Sequence, residues 1–291
     1  MSRSAYPEHL RKLVEEFLGG LRFGPQGPMD RLSEAMRYSL MAGGKRVRPV
    51  LTLAVVESLG RAPAHALPTA AALELIHTYS LIHDDLPAID DDYLRRGKPT
   101  CHVVFGEDVA ILAGDGLFAE AFVLVLDRQD GTAELKVALL GEMARATGVG
   151  GMVGGQYIDI TSAEAASVDL RQMHALKTGK LIEAAVVCGA LLGGLRSQAL
   201  QPYRAFAGEV GVLFQIVDDI LDVVGSDEQL GKTAGKDRKA GKVTYVSRFG
   251  LERAQELADE AYARAKDRLA EFTGDTAGLR AVTAYIAGRE S

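Results

Sequence analysis

The stretch "HDDLPAIDDD", His83 to Asp92, carries five aspartates in ten residues around Pro87 and the apolar Leu86, Ala88 and Ile89. It closes a segment, Leu67 to Leu86, that is apolar over most of its circumference, as in a helix that sits centrally and is wrapped by others. On an unbroken helix Asp84 and Asp90 would lie roughly 240° apart around the axis and could not share a ligand. Pro87 lacks an N–H and pushes Leu86 away from the α conformation, so the helix is expected to end there and Asp90 to fold back toward Asp84. Carboxylates gathered in this way need a cation, because an isolated ionised carboxylate is costly to bury.

Outward from this centre, apolar residues keep helical spacing. Leu10, Leu13, Val14, Phe17 and Leu18 fall on one face of a first helix, and Leu251, Ala254, Ala258, Ala261 and Ala265 on one face of a late one. A second nearly all-apolar segment runs from Ala199 to Val224. The breaks, such as "FGPQGP" (Phe23 to Pro28), "GRAPAH" (Gly60 to His65) and "GVGGMVGG" (Gly148 to Gly155), are too short to be interdomain linkers. Pro49 is placed as the first residue of the helix after "GGKRVR". The expectation for residues 1–291 is a single all-α domain.

Composition narrows the function. A net charge of −6 argues against a general nucleic-acid binder, whose affinity rests on surplus Lys and Arg. The two cysteines, Cys101 and Cys188, have no metal-site spacing, which fits inert thiols in a reducing, cytoplasmic setting. The N-terminus lacks the apolar core of a secretory signal, and no uncharged apolar run of about 18 residues predicts a membrane span.

A second acid cluster, "FQIVDDILDVVG", puts Asp218 and Asp222 four residues apart on one helix face with Asp219 beside them. Carboxylate oxygens with no His or Cys among them favour hard cations, and Mg²⁺ typically takes one or two carboxylates plus waters and phosphate oxygens. Two such clusters point to a polyphosphate held between them by several Mg²⁺ ions. Lys45, Arg46 and Arg48 after Gly43-Gly44, Arg95 and Arg96 past the first cluster, and Lys177 fit as direct phosphate ligands. Taken singly, either acid cluster reads as an ordinary solvated surface. An EF-hand fits poorly, since "DDLPAIDDDYLR" has no glycine at its sixth position and no glutamate at its twelfth.

Together, "GGKRVRP", "LIHDDLPAIDDDYLRRGKPTCH", "GGQYIDI", "KTGKLIEAA", "FQIVDDILDVVG", "LGKTAGKD" and "GKVTY" resemble the trans-type polyprenyl diphosphate synthases, most of all bacterial farnesyl diphosphate synthases. Tyr93 stands where many bacterial members carry a fourth aspartate. The resemblance implies an all-α isoprenoid synthase-type bundle around a deep central cavity, a homodimer, and condensation of isopentenyl diphosphate with an allylic diphosphate. It implies Mg²⁺, three ions per active site, bound by Asp84, Asp85, Asp90 and Asp218 with Asp219 and Asp222 in support. By the same resemblance Arg95, Lys177, Thr178, Gln215, Lys232 and Lys242 contact the allylic diphosphate. Lys45, Arg48, His77 and Arg96 fall at the isopentenyl diphosphate site.

The expected chemistry is ionisation of the allylic diphosphate, attack on the cation by the isopentenyl double bond, and proton loss to the departed diphosphate. No nucleophilic Ser/His/Asp or Cys/His arrangement is visible, and none is required. Product length is expected to depend on Tyr79 and Ser80, five and four residues before Asp84. A bulky Tyr79 near the cavity floor predicts a C15 product, with C20 as the alternative. More remote alternatives are a terpene cyclase and a metal phosphohydrolase built on the His83-Asp84 dipeptide.

Overall fold

A computed structural model describes residues 6–25, 27–161, 169–224 and 243–289. The chain runs through α1 (Glu8–Gly19), α2 (Asp30–Leu40), α3 (Val47–Ser58), α4 (Leu67–Asp84), α5 (Cys101–Phe105), α6 (Glu107–Arg128) and α7 (Ala133–Thr147). It continues through α8 (Met152–Thr161), α9 (Leu170–His174), a π-helical turn (Ala175–Gly179), α10 (Lys180–Leu192) and α11 (Gln201–Val224). After the next described segment begins come α12 (Tyr245–Phe249), α13 (Leu251–Leu269) and α14 (Ala277–Ala287). Among the described residues the only strands are the two-residue pair Leu94–Arg95 and Lys98–Pro99, antiparallel to one another. The all-α architecture is therefore as the sequence predicts.

Of the two apolar segments, the first forms the central helix α4, whereas the second, α11, buries one face and exposes Val223 and Val224 at its end; the other central helix is α10. In α4 every residue from Pro68 to Ile76 is buried, and the helix packs against α1, α2, α3, α6 and α10. In α10 Leu181, Ile182 and every residue from Ala184 to Leu192 are buried, against α3, α7 and α11. Each fully buried Leu or Ile stabilises the fold by about 1.5–3 kcal/mol, and α3 adds buried Val50, Leu51, Leu53, Val55 and Val56 to these two helices. The amphipathic helices wrap them: α1 buries Leu10, Val14 and Leu18, and α13 buries Ala254, Ala258, Ala261 and Ala265.

Two boundaries differ from expectation. Helix α3 starts at Val47, not at Pro49, because Arg46 takes a left-handed conformation (φ 53°) and serves as the N-cap. Pro49 then occupies the first turn, where its missing N–H leaves no hydrogen bond unmade. Helix α4 ends at Asp84, two residues before the position that Pro87 enforces, and the chain reverses at once. The N–H of Asp90 donates to the carbonyl of Asp84 (2.9 Å) and that of Asp92 to the carbonyl of Asp85 (3.1 Å). Asp90 does fold back on Asp84.

Helix α6 is long and apolar enough to cross a membrane by length and composition. It carries Asp115 and Glu120, however, and packs lengthwise against α4 and α2.

Candidate active site

The first acid cluster is divided by its partners. Asp85 is buried and gripped by Arg95, whose Nε donates to both carboxylate oxygens (2.8 and 2.9 Å). The short hairpin Leu94–Pro99 turns Arg95 back under the end of α4 to make this pair. Asp84 is half-buried, and burial pushes its carboxyl up to about 6; Lys177 and Arg95 oppose that rise, while Asp90 and Asp85 add to it. Its anion is thus under-compensated by the protein, the condition in which a hard cation is attracted.

The basic residues gather around α3 and α4. The Arg96 guanidinium lies over the Gly43-Gly44 backbone and donates to the Gly43 carbonyl. A Cβ on Gly44, whose φ is +118°, would stand 2.8 Å from Arg96 Cζ, so only glycine lets the arginine lie there. Arg48 is buried, and burial lowers it to about 10. Burial, then Arg48 and Arg96, hold the His77 imidazole well below its usual range, so at neutral pH it is an uncharged donor among cations. Lys45 lies over the Tyr285 ring (5.5 Å), and its carbonyl accepts from the Tyr6 hydroxyl (2.6 Å).

Arg46 does not join them. Its left-handed backbone turns the side chain inward, where it is 3% exposed and donates to Glu74 (2.8 Å), Glu15 (2.9 Å) and the Leu40 carbonyl (2.7 Å). As a phosphate ligand Arg46 is corrected: it is an internal tie that fixes the loop presenting Lys45 and Arg48.

The second cluster sits on α11. Thr178 Oγ1 donates to Gln215 Oε1 (3.0 Å), Gln215 Nε2 to Asp219 Oδ1 (2.7 Å), and the Tyr245 N–H to Asp219 Oδ2 (2.7 Å). Asp219 therefore orients Gln215 and anchors α12. Asp218 accepts from Arg289 Nη2 (2.7 Å), and Asp222 holds a buried Oδ1 with no hydrogen-bond partner among the described residues. Lys177 lies within electrostatic reach of Asp84 and donates to Asp159 on α8 (2.6 Å). Helix α8 comes close enough because residue 155 is glycine; a Cβ there would be 2.2 Å from the Lys177 backbone nitrogen. Lys232 and Lys242 lie outside the described residues.

Asp159 and Arg289 touch the candidate site residues Lys177 and Asp218 although spacing marks neither; "GGQYIDI" was the signal for Asp159, and the basic residue in the C-terminal "YIAGRES" that for Arg289. Ser80 shares the face of Asp84, with its hydroxyl bonded to the His77 carbonyl (2.9 Å). Tyr79 lies about 140° round the helix. Its ring rests edge-on against Phe118 (5.0 Å) and His83 (5.6 Å). His83 turns to α6, with Nε2 beside the Ile111 carbonyl (3.1 Å), so the His83-Asp84 dipeptide does not point at one ion.

Among the described residues no three His, Cys, Asp or Glu side chains converge as a closed metal cage. That suits Mg²⁺, which keeps few protein ligands and fills its shell with water and phosphate oxygen. The all-oxygen donors, the orphaned Asp222 Oδ1 and the raised Asp84 carboxyl all fit such an ion.

Two carboxylate clusters on separate helices, with buried cations beside them, make an all-α site suited to a polyanion held through hard cations. The polyprenyl synthetase family model matches residues 29–274, and the chain belongs to that family, with the trans-prenyltransferase fold. It is 48% identical over 266 residues to a chloroplastic geranylgeranyl pyrophosphate synthase of Catharanthus roseus, covering 90% of this chain and 74% of that one. An FPP/GFPP synthase structure from Zymomonas mobilis superposes with a TM-score of 0.85 at 36% identity, covering 96% of each chain. A Helicobacter pylori geranyltransferase complexed with magnesium and isoprenyl diphosphate gives a TM-score of 0.82 at 32% identity, covering 90% of this chain and 89% of that one.

Proposed function

We propose that this trans-prenyltransferase adds isopentenyl diphosphate to allylic diphosphates and releases the C20 product, geranylgeranyl diphosphate. The observation that carries the reading is on α4: the small Ser80, not the Tyr79 ring, lies beneath Asp84, while Tyr79 is docked in the seam with α6. The name of the Catharanthus relative supports the same length. C15 is the second reading, favoured by the size of Tyr79 and by the name of the Zymomonas neighbour.

Lys177 and Arg95 neutralise charge gathering on the allylic diphosphate, and Gln215 and Thr178 fix its orientation through Asp219. Asp84, Asp90 and Asp218 would hold magnesium, three ions in the full site, and the bound ions would supply Lewis-acid stabilisation of the leaving group. Lys45, Arg48, His77 and Arg96 hold isopentenyl diphosphate with its double bond within reach. The apolar layer of α4 and α10 keeps water from the cation. A homodimer is part of the proposal: α6 exposes Ile111, Leu112, Val123 and Leu126, an apolar surface suited to a second copy.

The test is mass spectrometry of products from isopentenyl and dimethylallyl diphosphates with Mg²⁺. Predominant C20 is expected, and predominant C15 overturns the C20 assignment.

A further inference from the structure

His174 closes α9, directly before the π-helical turn that presents Lys177 and Thr178. It is only 8% exposed, and neither ring nitrogen has a hydrogen-bond partner among the described residues. Burial lowers the imidazole to about 4; the Asp159 carboxylate opposes that fall and Lys177 adds to it. At neutral pH the ring is therefore uncharged, with one N–H donor and one acceptor nitrogen. A buried donor without a partner is costly and rare, and raises the question of which bond it makes in another state of the site.

The acceptor within reach is Gln215. Helix α9 packs on α11, and the His174 ring stacks on that of Tyr245, with centres 5.7 Å apart and planes at 29°. The Tyr245 N–H donates to Asp219 Oδ2, and Asp219 Oδ1 accepts from Gln215 Nε2, so the imidazole lies alongside this hydrogen-bonded chain. Gln215 raises the proton affinity of His174 through hydrogen bonding, as an acceptor beside the ring does. Gln215 Oε1, however, takes its hydrogen bond from Thr178 Oγ1 (3.0 Å). A hydroxyl carries one hydrogen, so Thr178 cannot donate to Gln215 and to a phosphate oxygen at once.

We propose that His174 is the stand-in donor to Gln215 Oε1: when an allylic diphosphate takes the hydrogen of the Thr178 hydroxyl, the His174 N–H replaces it, and Gln215 keeps its place on Asp219. The inference rests on the prenyl-transfer reading, which puts the allylic diphosphate at Thr178. The exchange ends with one hydrogen bond more than it began with, because the buried N–H gains a partner. His174 is a positioning residue, acting on the substrate through Gln215 and Thr178. The bond is made to the bound diphosphate before and during ionisation alike, so its loss falls on KM for the allylic substrate and not on kcat.

The experiment is steady-state kinetics of the full chain with Mg²⁺, dimethylallyl diphosphate and isopentenyl diphosphate, on His174→Phe, Thr178→Val and the double variant. Phenylalanine keeps a ring on Tyr245 and removes the donor. His174→Phe is expected to raise KM for dimethylallyl diphosphate about tenfold, with kcat and KM for isopentenyl diphosphate within about twofold of wild type. In the Thr178→Val background the same change is expected to add less than about twofold, because no hydroxyl is left to release. His174→Gln, which keeps an N–H donor, is expected to recover part of the loss. In the wild type, nitrogen-resolved NMR is expected to show the His174 N–H proton moving downfield when Mg²⁺ and a non-ionisable thiolo analogue of dimethylallyl diphosphate are added. Effects of the two substitutions that simply multiply, or an N–H resonance that does not move, overturn the role of His174 and leave the prenyl-transfer reading standing. Absence of prenyl transfer by the wild type overturns both.

Discussion

Lys177 Nζ donates to Asp159 Oδ2 at 2.6 Å, and the aspartate side chain is only 8% exposed. The ammonium is held on a short leash at the point where it faces Asp84. Lysine is a flexible point charge, so its usefulness to a leaving diphosphate depends on what positions it. Asp159→Asn keeps the shape and removes the charge. Steady-state kinetics are expected to show kcat/KM for the allylic substrate falling about 10–100-fold. A drop of less than twofold would make the contact merely structural.

Asp84 links activity to stability. The native state binds its proton more tightly than the unfolded chain, because burial raises the carboxyl from 3.8 to about 6. Its ionisation therefore costs native stability as pH rises from about 4 through about 6, and the cost is fully present at pH 7. Asp84→Asn is expected to stabilise the metal-free protein at pH 7 by on the order of 1–3 kcal/mol and to lower kcat by orders of magnitude. Denaturant melts at pH 4.5 and 7 check it: the gain must shrink at the lower pH.

The Arg46–Glu74 pair is buried on both sides, at 1% and 2% side-chain exposure. Removing Glu74 takes away the buried one of the two carboxylates that balance the Arg46 charge, leaving Glu15 alone to do so. Glu74→Ala is expected to destabilise by about 3–5 kcal/mol, read as a lower denaturation midpoint. Glu15→Gln removes the charge of the partly exposed carboxylate on the same arginine and is expected to cost about 1 kcal/mol or less.

Chain length tests the division between Tyr79 and Ser80. Ser80→Phe places a ring on the face of Asp84, and products are expected to shorten toward C15. Tyr79→Ala opens the seam beside Phe118 and Phe122, whose rings stack edge-on at 5.1 Å, and products are expected to lengthen. Mass spectrometry of the product mixture reads both; an unchanged length in each variant removes α4 as the ruler.

Much of this was legible because it is local. Pro87 dictates the chain reversal that brings Asp90 to Asp84, and a four-residue step on α11 dictates the face shared by Asp218 and Asp222. What escaped depends on partners far along the chain. Nothing near Arg46 says that it turns inward; the reason is Glu74, a lone acid in the apolar run of α4, and Glu15 on α1. That isolated glutamate was the available clue, since a buried carboxylate implies a buried cation. The basic Arg289 is visible in the C-terminal "YIAGRES", but its partner is not: Asp218 is 71 residues away, and the docking of α14 against α3 and α11 brings the two together.

The central claim is that Asp84 and Asp218 face one another across a diphosphate joined to them by divalent cations. Anomalous diffraction from crystals grown with Mn²⁺ in place of Mg²⁺ and the thiolo analogue tests it most directly. The account predicts manganese peaks within about 2.2 Å of carboxylate oxygens in both clusters, with the diphosphate between them. Peaks confined to one cluster, or a diphosphate bound with no metal at Asp218, would contradict it.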